Sequence, residues 1–214
     1  MSLINDVFDC LIIVILIINS CVYAWSCRTP KSSAALNYFT VYIIAIFIVQ
    51  FSATILAIYE KNNLYLSHFY FIIQFICLSL FFKALFIKTQ KKIVNFLLIL
   101  ILGLLGIQYY TTPDLFYQFN NLEIFITSVP LIVYSIIHLY NSLNKPPRYM
   151  YINAGILIYI TTSTLIYILG NFLATQDNNI AVTNIWFLNK VLYTVYMLLI
   201  MLEWKMIFWS VKRK

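Results

Sequence analysis

Charge is scarce in this chain. Asp, Glu, Lys and Arg make up 10% of its 214 residues and hydrophobic residues 63%, whereas a soluble globular domain is charged at about a quarter of its positions. A polar shell around a water-soluble core is thereby excluded, and the mean hydropathy of +0.88 assigns the chain to the bilayer class. Glycine occurs four times and proline five. No Gly-, Pro- or Ser-rich linker divides the chain, and the broken midplane helices common in transporters have little sequence to form from. Histidine occurs twice, and the four cysteines, Cys10, Cys21, Cys27 and Cys77, show neither paired C-x-x-C spacing nor a nearby His. That excludes a zinc site of known spacing and leaves the thiols as small apolar packing residues.

What the chain does have is length in its apolar runs. Seven are legible, at 7–26, 39–58, 65–87, 93–110, 122–140, 151–173 and 184–208. Each is close to the 20 or so residues that a helix needs to cross hydrocarbon. The links between them are short, and their bases sort by parity. Arg28 and Lys31 share one side with Lys88, Lys91 and Lys92, with Lys145 and Arg148, and with Lys205, Lys212, Arg213 and Lys214; only Lys61 occupies a link on the other side. Short basic loops stay cytoplasmic, so the amino end is expected outside and the carboxyl end inside. The acids agree: Asp6, Asp9, Glu60, Asp114, Glu123 and Asp177 map to the outer side and Glu203 to the inner one. The expected fold is all-α, a seven-transmembrane-helix bundle forming one transmembrane domain over residues 1–214.

The net charge of +7 needs no nucleic acid. Inner-face Lys and Arg attract anionic lipid and hold orientation, and no basic patch interleaved with aromatics lies on a soluble scaffold. The first segment carries Asp6 and Asp9 where a signal peptide carries a basic start, and reads as a retained helix. Abundant Ile, Asn, Lys, Tyr and Phe match the bias of an AT-rich genome, so the plasma (inner) membrane of a bacterium is the expected location.

Helices one to three resemble helices five to seven at a nearly constant offset. Asp9 matches Glu123, Lys31 matches Lys145, and Asn37 matches Asn153. The turn at Glu60–Asn63 matches that at Gln176–Asn179, and HFYFIIQ from His68 to Gln74 matches NIWFLNK from Asn184 to Lys190. An offset of four helices preserves direction, which makes a parallel duplication with the fourth helix as bridge. This three-plus-one-plus-three plan resembles that of sugar-transporting SWEET proteins, PQ-loop proteins and vitamin transporters. The resemblance is architectural: the chain contains no Pro-Gln dipeptide, and of its prolines only Pro130 lies within an apolar run.

Ionisable residues inside hydrocarbon are functional candidates by default. In the outer third lie Asp9, His68, Glu123 and Lys190, with Gln108, Asn171 and Asn189 at similar depth, and they are expected to converge on one outer pocket. Lys190 carries a charge whose burial demands a partner, and Asp9 and Glu123 are the available counter-ions. Trp186, Asn189, Lys190, Tyr193 and Met197 follow helical spacing, giving a stripe that should face the bundle. The candidate ligand-binding residues are therefore Asp9, His68, Glu123, Trp186, Asn189, Lys190 and Tyr193. Against this stands a plainer account, in which the acids lie at headgroup level and Lys190 snorkels outward beside Trp186. His138, Lys83, Glu203 and Lys205 read as interfacial. Thr161, Thr162, Ser163 and Thr164 are consecutive, point around their helix and should bond back to its carbonyls. Asn19, Gln50 and Gln74 are candidates for hydrogen bonds between helices.

Covalent chemistry finds little support. Lys190 is too near the outer end for mid-membrane Schiff-base formation, and the third apolar run lacks a carboxylate counter-ion, which argues against a retinal pigment. No pair of mid-membrane Asp and no Ser with a His base is present for proteolysis. No cofactor or metal is expected. The reading is of a non-enzymatic membrane subunit that binds a partner protein, lipid or small ligand, as sensor input or accessory to a membrane complex, the alternative being a small-solute transporter. Its expected partners are membrane lipids, a membrane protein and a small molecule at the outer end.

Overall fold

The computed structural model describes residues 2–30, 32–143, 148–174 and 179–208, with the side chains of 2–6, 171, 173–174 and 179–181 outside that set. Lys31, Lys145, Gln176, Asp177, Lys212, Arg213 and Lys214, and the side chains of Asp6 and Asn171, accordingly lie outside the described residues. The helices are α1 (Ser2–Ser26), α2 (Ala34–Ile58), α3 (Tyr65–Leu85), α4 (Lys88–Thr111), α5 (Asn121–Asn141), α6 (Met150–Ala174) and α7 (Asn179–Phe208), with a short 3₁₀ turn at Pro113–Tyr117. No strand occurs among the described residues. All seven are long and apolar enough to cross a membrane, the qualifying stretches running from 20 to 27 residues.

Several helices begin earlier than hydropathy marks them. α2 starts at Ala34 because Ser33, in extended conformation, accepts from the Leu36 amide at 3.2 Å. α5 starts behind Asn120, which accepts from the Glu123 amide at 3.2 Å. Apolarity marks the part suited to hydrocarbon; the helix itself runs on through polar residues until a side chain satisfies its first free N–H groups. α3 ends two residues earlier than expected, because Phe86 turns extended, and α4 follows from Lys88. Pro130 sits within α5, which remains a single helix.

Six helices form a ring in which neighbours touch in the order α1, α2, α3, α5, α6, α7 and back to α1. α4 stands outside it, against α3, α5 and the 3₁₀ turn, and shows Phe96, Ile99 and Ile107 outward. The upper end of the bundle is here the one that carries the start of α1. α1 and α7 run parallel and are laced toward the lower end by three bonds: Asn19 Nδ2 to the Met197 carbonyl at 3.0 Å, the Tyr23 hydroxyl to the Ile200 carbonyl at 2.9 Å, and Trp204 Nε1 to Ser26 Oγ at 2.7 Å. α5 and α6 are joined by Ser135 and Asn153, whose side chains meet at 2.6 Å while Asn153 Nδ2 donates to the Ser135 carbonyl at 3.1 Å. Glu203 of α7 accepts from the Tyr151 amide at 2.7 Å, supplying a partner that the first turn of α6 lacks. In the middle of α6, Thr162, Ser163 and Thr164 donate back to the Ile158 and Ile160 carbonyls.

Gly155 sets the distance between α6 and α7: a Cβ there would lie 2.7 Å from Tyr196 Cδ2. Small residues permit such close approach where no hydrophobic force draws helices together. Below this level the ring is filled by Phe39, Phe75, Leu78, Phe81 and Phe82, together with Tyr23 and Tyr134, all of them buried.

Candidate ligand cavity

Level with Gly155 and above it, four tyrosines from different helices meet. Tyr159 of α6 stacks on Tyr196 of α7, with ring centroids 5.1 Å apart and planes 5° from parallel. Tyr196 donates to the Tyr42 hydroxyl at 3.3 Å, and the Tyr70 and Tyr159 hydroxyls lie 3.4 Å apart. These rings are buried, and together they close the ring of helices across α2, α3, α6 and α7.

On this floor stands a cavity of about 310 Å³. α1 contributes Asp9, Ile12 and Ile13, α2 contributes Gln50, Ala53, Thr54 and Ala57, α6 contributes Tyr159 and Tyr167, and α7 contributes Asn189, Lys190 and Tyr193. Asn63, from the turn before α3, completes the wall and is fixed by donating to the Ala53 carbonyl at 3.1 Å. A second cavity of about 190 Å³ shares Gln50, Ala53, Asn63 and Tyr167 and extends to Tyr70 and Phe71 of α3.

Lys190 Nζ donates to Asp9 Oδ2 at 2.8 Å, with the two side chains 31% and 50% accessible. The exposure matters, because a pair still in reach of water adds little to stability and can take a further partner at small cost. Deeper, Asn189 Nδ2 points to the Tyr167 hydroxyl at 3.5 Å. Asn189 Oδ1 and the Tyr193 hydroxyl are buried and have no protein partner. Buried polar atoms left in that condition are few in native proteins and call for an explanation.

Across the ring a second pair forms. His68 Nδ1 of α3 lies 2.6 Å from Glu123 Oε2 of α5, with side-chain exposures of 3% and 1%. The Tyr109 hydroxyl of α4 donates to the same Oε2 at 2.6 Å. The same hydroxyl lies 2.8 Å from His68 Nδ1, so the three side chains form one cluster between α3, α4 and α5. Phe116 of the 3₁₀ turn stacks on the imidazole with centroids 5.6 Å apart, covering it from above. Glu123 Oε1 and His68 Nε2 have no protein partner.

The seven candidates thus fall into two groups and a remainder. Asp9, Asn189, Lys190 and Tyr193 line one cavity. His68 and Glu123 meet between α3 and α5, on the opposite side of the ring from α1 and α7. Trp186 stands behind the wall, 5.4 Å from Tyr167 and against Gly170. Lys190 takes Asp9 as its counter-ion and Glu123 takes His68, because the ring order brings each acid-bearing helix beside a different base. Gln108 bonds Asn120, its Oε1 accepting at 3.2 Å. No local pattern singles out Tyr109, Tyr159 and Tyr167 among the 34 Phe and Tyr residues, whereas Asn120 is recognisable as a helix cap three residues before Glu123. Among the described residues no three His, Cys, Asp or Glu side chains gather as a metal site would require.

No family model, curated protein or solved structure matches this chain.

Proposed function

We propose that the chain is a non-enzymatic multi-pass membrane protein of the bacterial plasma membrane that binds a small molecule in the upper cavity. The amino end faces outward, the carboxyl end faces the cytoplasm, and ligand enters from outside past Asp9 and Lys190. One observation carries this reading: the upper half of the bundle keeps an open, mostly apolar cavity of about 310 Å³ with a few polar side chains and a charged pair at its mouth. Clefts with a few convergent polar groups on mostly apolar walls are the usual form of ligand pockets. The tyrosine floor separates the chamber from the lower end, which suits sensing or accessory binding, with the response passed through the helices to a membrane-protein partner.

The test is thermal unfolding of the purified chain in lipid nanodiscs against a panel of small polar and amphiphilic solutes, beside Ala53→Trp, which fills the chamber. A ligand that binds only the folded state raises the midpoint, by an amount that grows with the logarithm of its concentration above Kd. At least one solute should raise it in the wild type and not in Ala53→Trp; a panel with no such solute rejects the reading.

A small-solute transporter is the second reading, and the ring favours it in one respect. Exchanging α1, α2 and α3 with α5, α6 and α7 leaves the six neighbour contacts of the ring unchanged and α4 outside. The acids matched in the internal repeat, Asp9 and Glu123, each take a base from the third helix of the other half. Against the exchange, Asn153 is buried against Ser135, whereas its match Asn37 is exposed and accepts from Ser32. Uptake of a chamber-binding solute into proteoliposomes, abolished by Ala53→Trp, would establish transport.

A further inference from the structure

The two charges at the mouth of the upper cavity sum to zero, and this bears on what the cavity holds. Resting on the reading of that cavity as a ligand site, we infer that its ligand is a zwitterionic amino acid with an apolar or aromatic side chain. Its ammonium group sits between Asp9 and Asn189 Oδ1, its carboxylate on Lys190, and its side chain against the tyrosine wall.

The geometry of the pair supports this choice. An ammonium group has three donors, and Lys190 gives one to Asp9 at 2.8 Å. A ligand carboxylate can accept another while the pair stays intact. The Asp9 carboxylate likewise has accepting capacity beyond the single bond to Lys190. A zwitterion therefore joins the pair as an alternating arrangement of four charges. A ligand of one charge gains from one member of the pair and is repelled by the other, which lies only 2.8 Å away, so the two effects largely cancel.

The interior selects the remainder of the molecule. Asn189 Oδ1 is a buried acceptor without a protein partner, next in sequence to Lys190, and an ammonium donor would satisfy it. The rings of Tyr159, Tyr167 and Tyr193 form the deeper wall, and such rings favour edge-to-face contact with a flat apolar group. At about 310 Å³ the chamber lies at the small end of ligand pockets, which span about 300–1,000 Å³, and suits one amino acid better than a peptide. A purely structural role for the ion pair is poorly supported. Three bonds already lace α1 to α7 lower down, and an exposed pair is a weak tether.

Calorimetric titration of the full chain in nanodiscs tests this with three probes that share a benzyl group and differ in charge: L-phenylalanine, phenethylamine and 3-phenylpropionate. Phenylalanine should bind at least about tenfold more tightly than either analogue, which corresponds to about 1.4 kcal/mol. Lys190→Met should erase the preference over phenethylamine, and Asp9→Asn the preference over 3-phenylpropionate. The inference is overturned if either singly charged probe matches phenylalanine on the wild type, or if both variants fold and keep the full preference. Should a variant fail to fold, the wild-type ranking of the three probes still decides. If phenylalanine does not bind but another solute is lost on Ala53→Trp, the ligand class is wrong and the cavity reading stands; if nothing binds, both fall.

Discussion

Glu123 and His68 meet at 2.6 Å with almost none of either side chain accessible, while Asp9 and Lys190 meet at 2.8 Å with a third to a half of theirs in reach of solvent. The same type of contact thus has two different energetic meanings. Removing one member of a buried pair leaves the polar atoms of the other without a partner and costs about 1–3 kcal/mol, more where a charge is stranded, whereas exposed pairs contribute about 0–1 kcal/mol. Glu123→Ala should therefore lower the unfolding free energy in mixed micelles by at least about 1–3 kcal/mol, and Asp9→Ala by less than about 1 kcal/mol. The double variant His68→Leu with Glu123→Met should be more stable than Glu123→Ala, since it leaves no imidazole buried without its partner. A double variant that loses the sum of two large single effects would show that packing, and not polar pairing, holds this site.

Gly155 and Gly103 offer a matched contrast within helices. A methyl at Gly155 would meet the Tyr196 ring at 2.7 Å, whereas nothing lies within 4 Å of one at Gly103. Overpacking costs about 1–3 kcal/mol, and it should also displace Tyr196 from its stack on Tyr159, loosening the cavity floor. Gly103→Ala should be neutral or stabilising by up to about 1 kcal/mol, because alanine suits a helix interior better than glycine. The pair of midpoints, read by the same unfolding assay, separates close packing from helix propensity. Equal effects at both positions would remove the argument that Gly155 sets the approach of α6 to α7.

The number of helices was legible because apolar length and the parity of Lys and Arg are properties of each segment alone. Lys190 was legible as a cation needing a partner, and Asp9 as one available partner. The pairing of His68 with Glu123 was not, since it depends on which helices become neighbours around the ring, and no local pattern encodes that order. Tyr109 was missed for the same reason, its role arising only when α4 settles outside α3 and α5. The division of the candidates into two sites follows from ring order, whereas the helix starts that hydropathy misplaced follow from polar caps such as Ser33.

The turn after α2 shows a local feature that sequence hides. Glu60 adopts φ 55, the Lys61 amide bonds the Leu56 carbonyl at 2.9 Å, and the Glu60 amide bonds the Ala57 carbonyl at 3.0 Å. This is the Schellman closure, whose left-handed position favours glycine. A residue with a Cβ is strained there by about 1–2 kcal/mol. Glu60→Gly should therefore raise stability, the gain held to about 1 kcal/mol by glycine's greater freedom when unfolded. Glu60→Val, β-branched at positive φ, should lower it. Unfolding midpoints for the two variants should move in opposite directions, and a common direction would mean that the turn rearranges.

Orientation follows from the bases and can be read directly. Asn62 and Thr89 are exposed and lie beyond opposite ends of α3, one beside the single base Lys61 and the other beside Lys88, Lys91 and Lys92. If short basic links are retained in the cytoplasm, a cysteine at Asn62 faces outward and one at Thr89 faces inward. With Cys10, Cys21, Cys27 and Cys77 replaced by serine or alanine, Asn62→Cys in intact cells should react with a membrane-impermeant maleimide. Thr89→Cys should react only after the membrane is opened. The reverse pattern would turn the bundle over and place the Asp9–Lys190 mouth in the cytoplasm, so that the cavity would sample cytosolic solutes. Reaction of both sites in intact cells would mean that α3 does not separate two compartments, and the seven-span reading would fail with it.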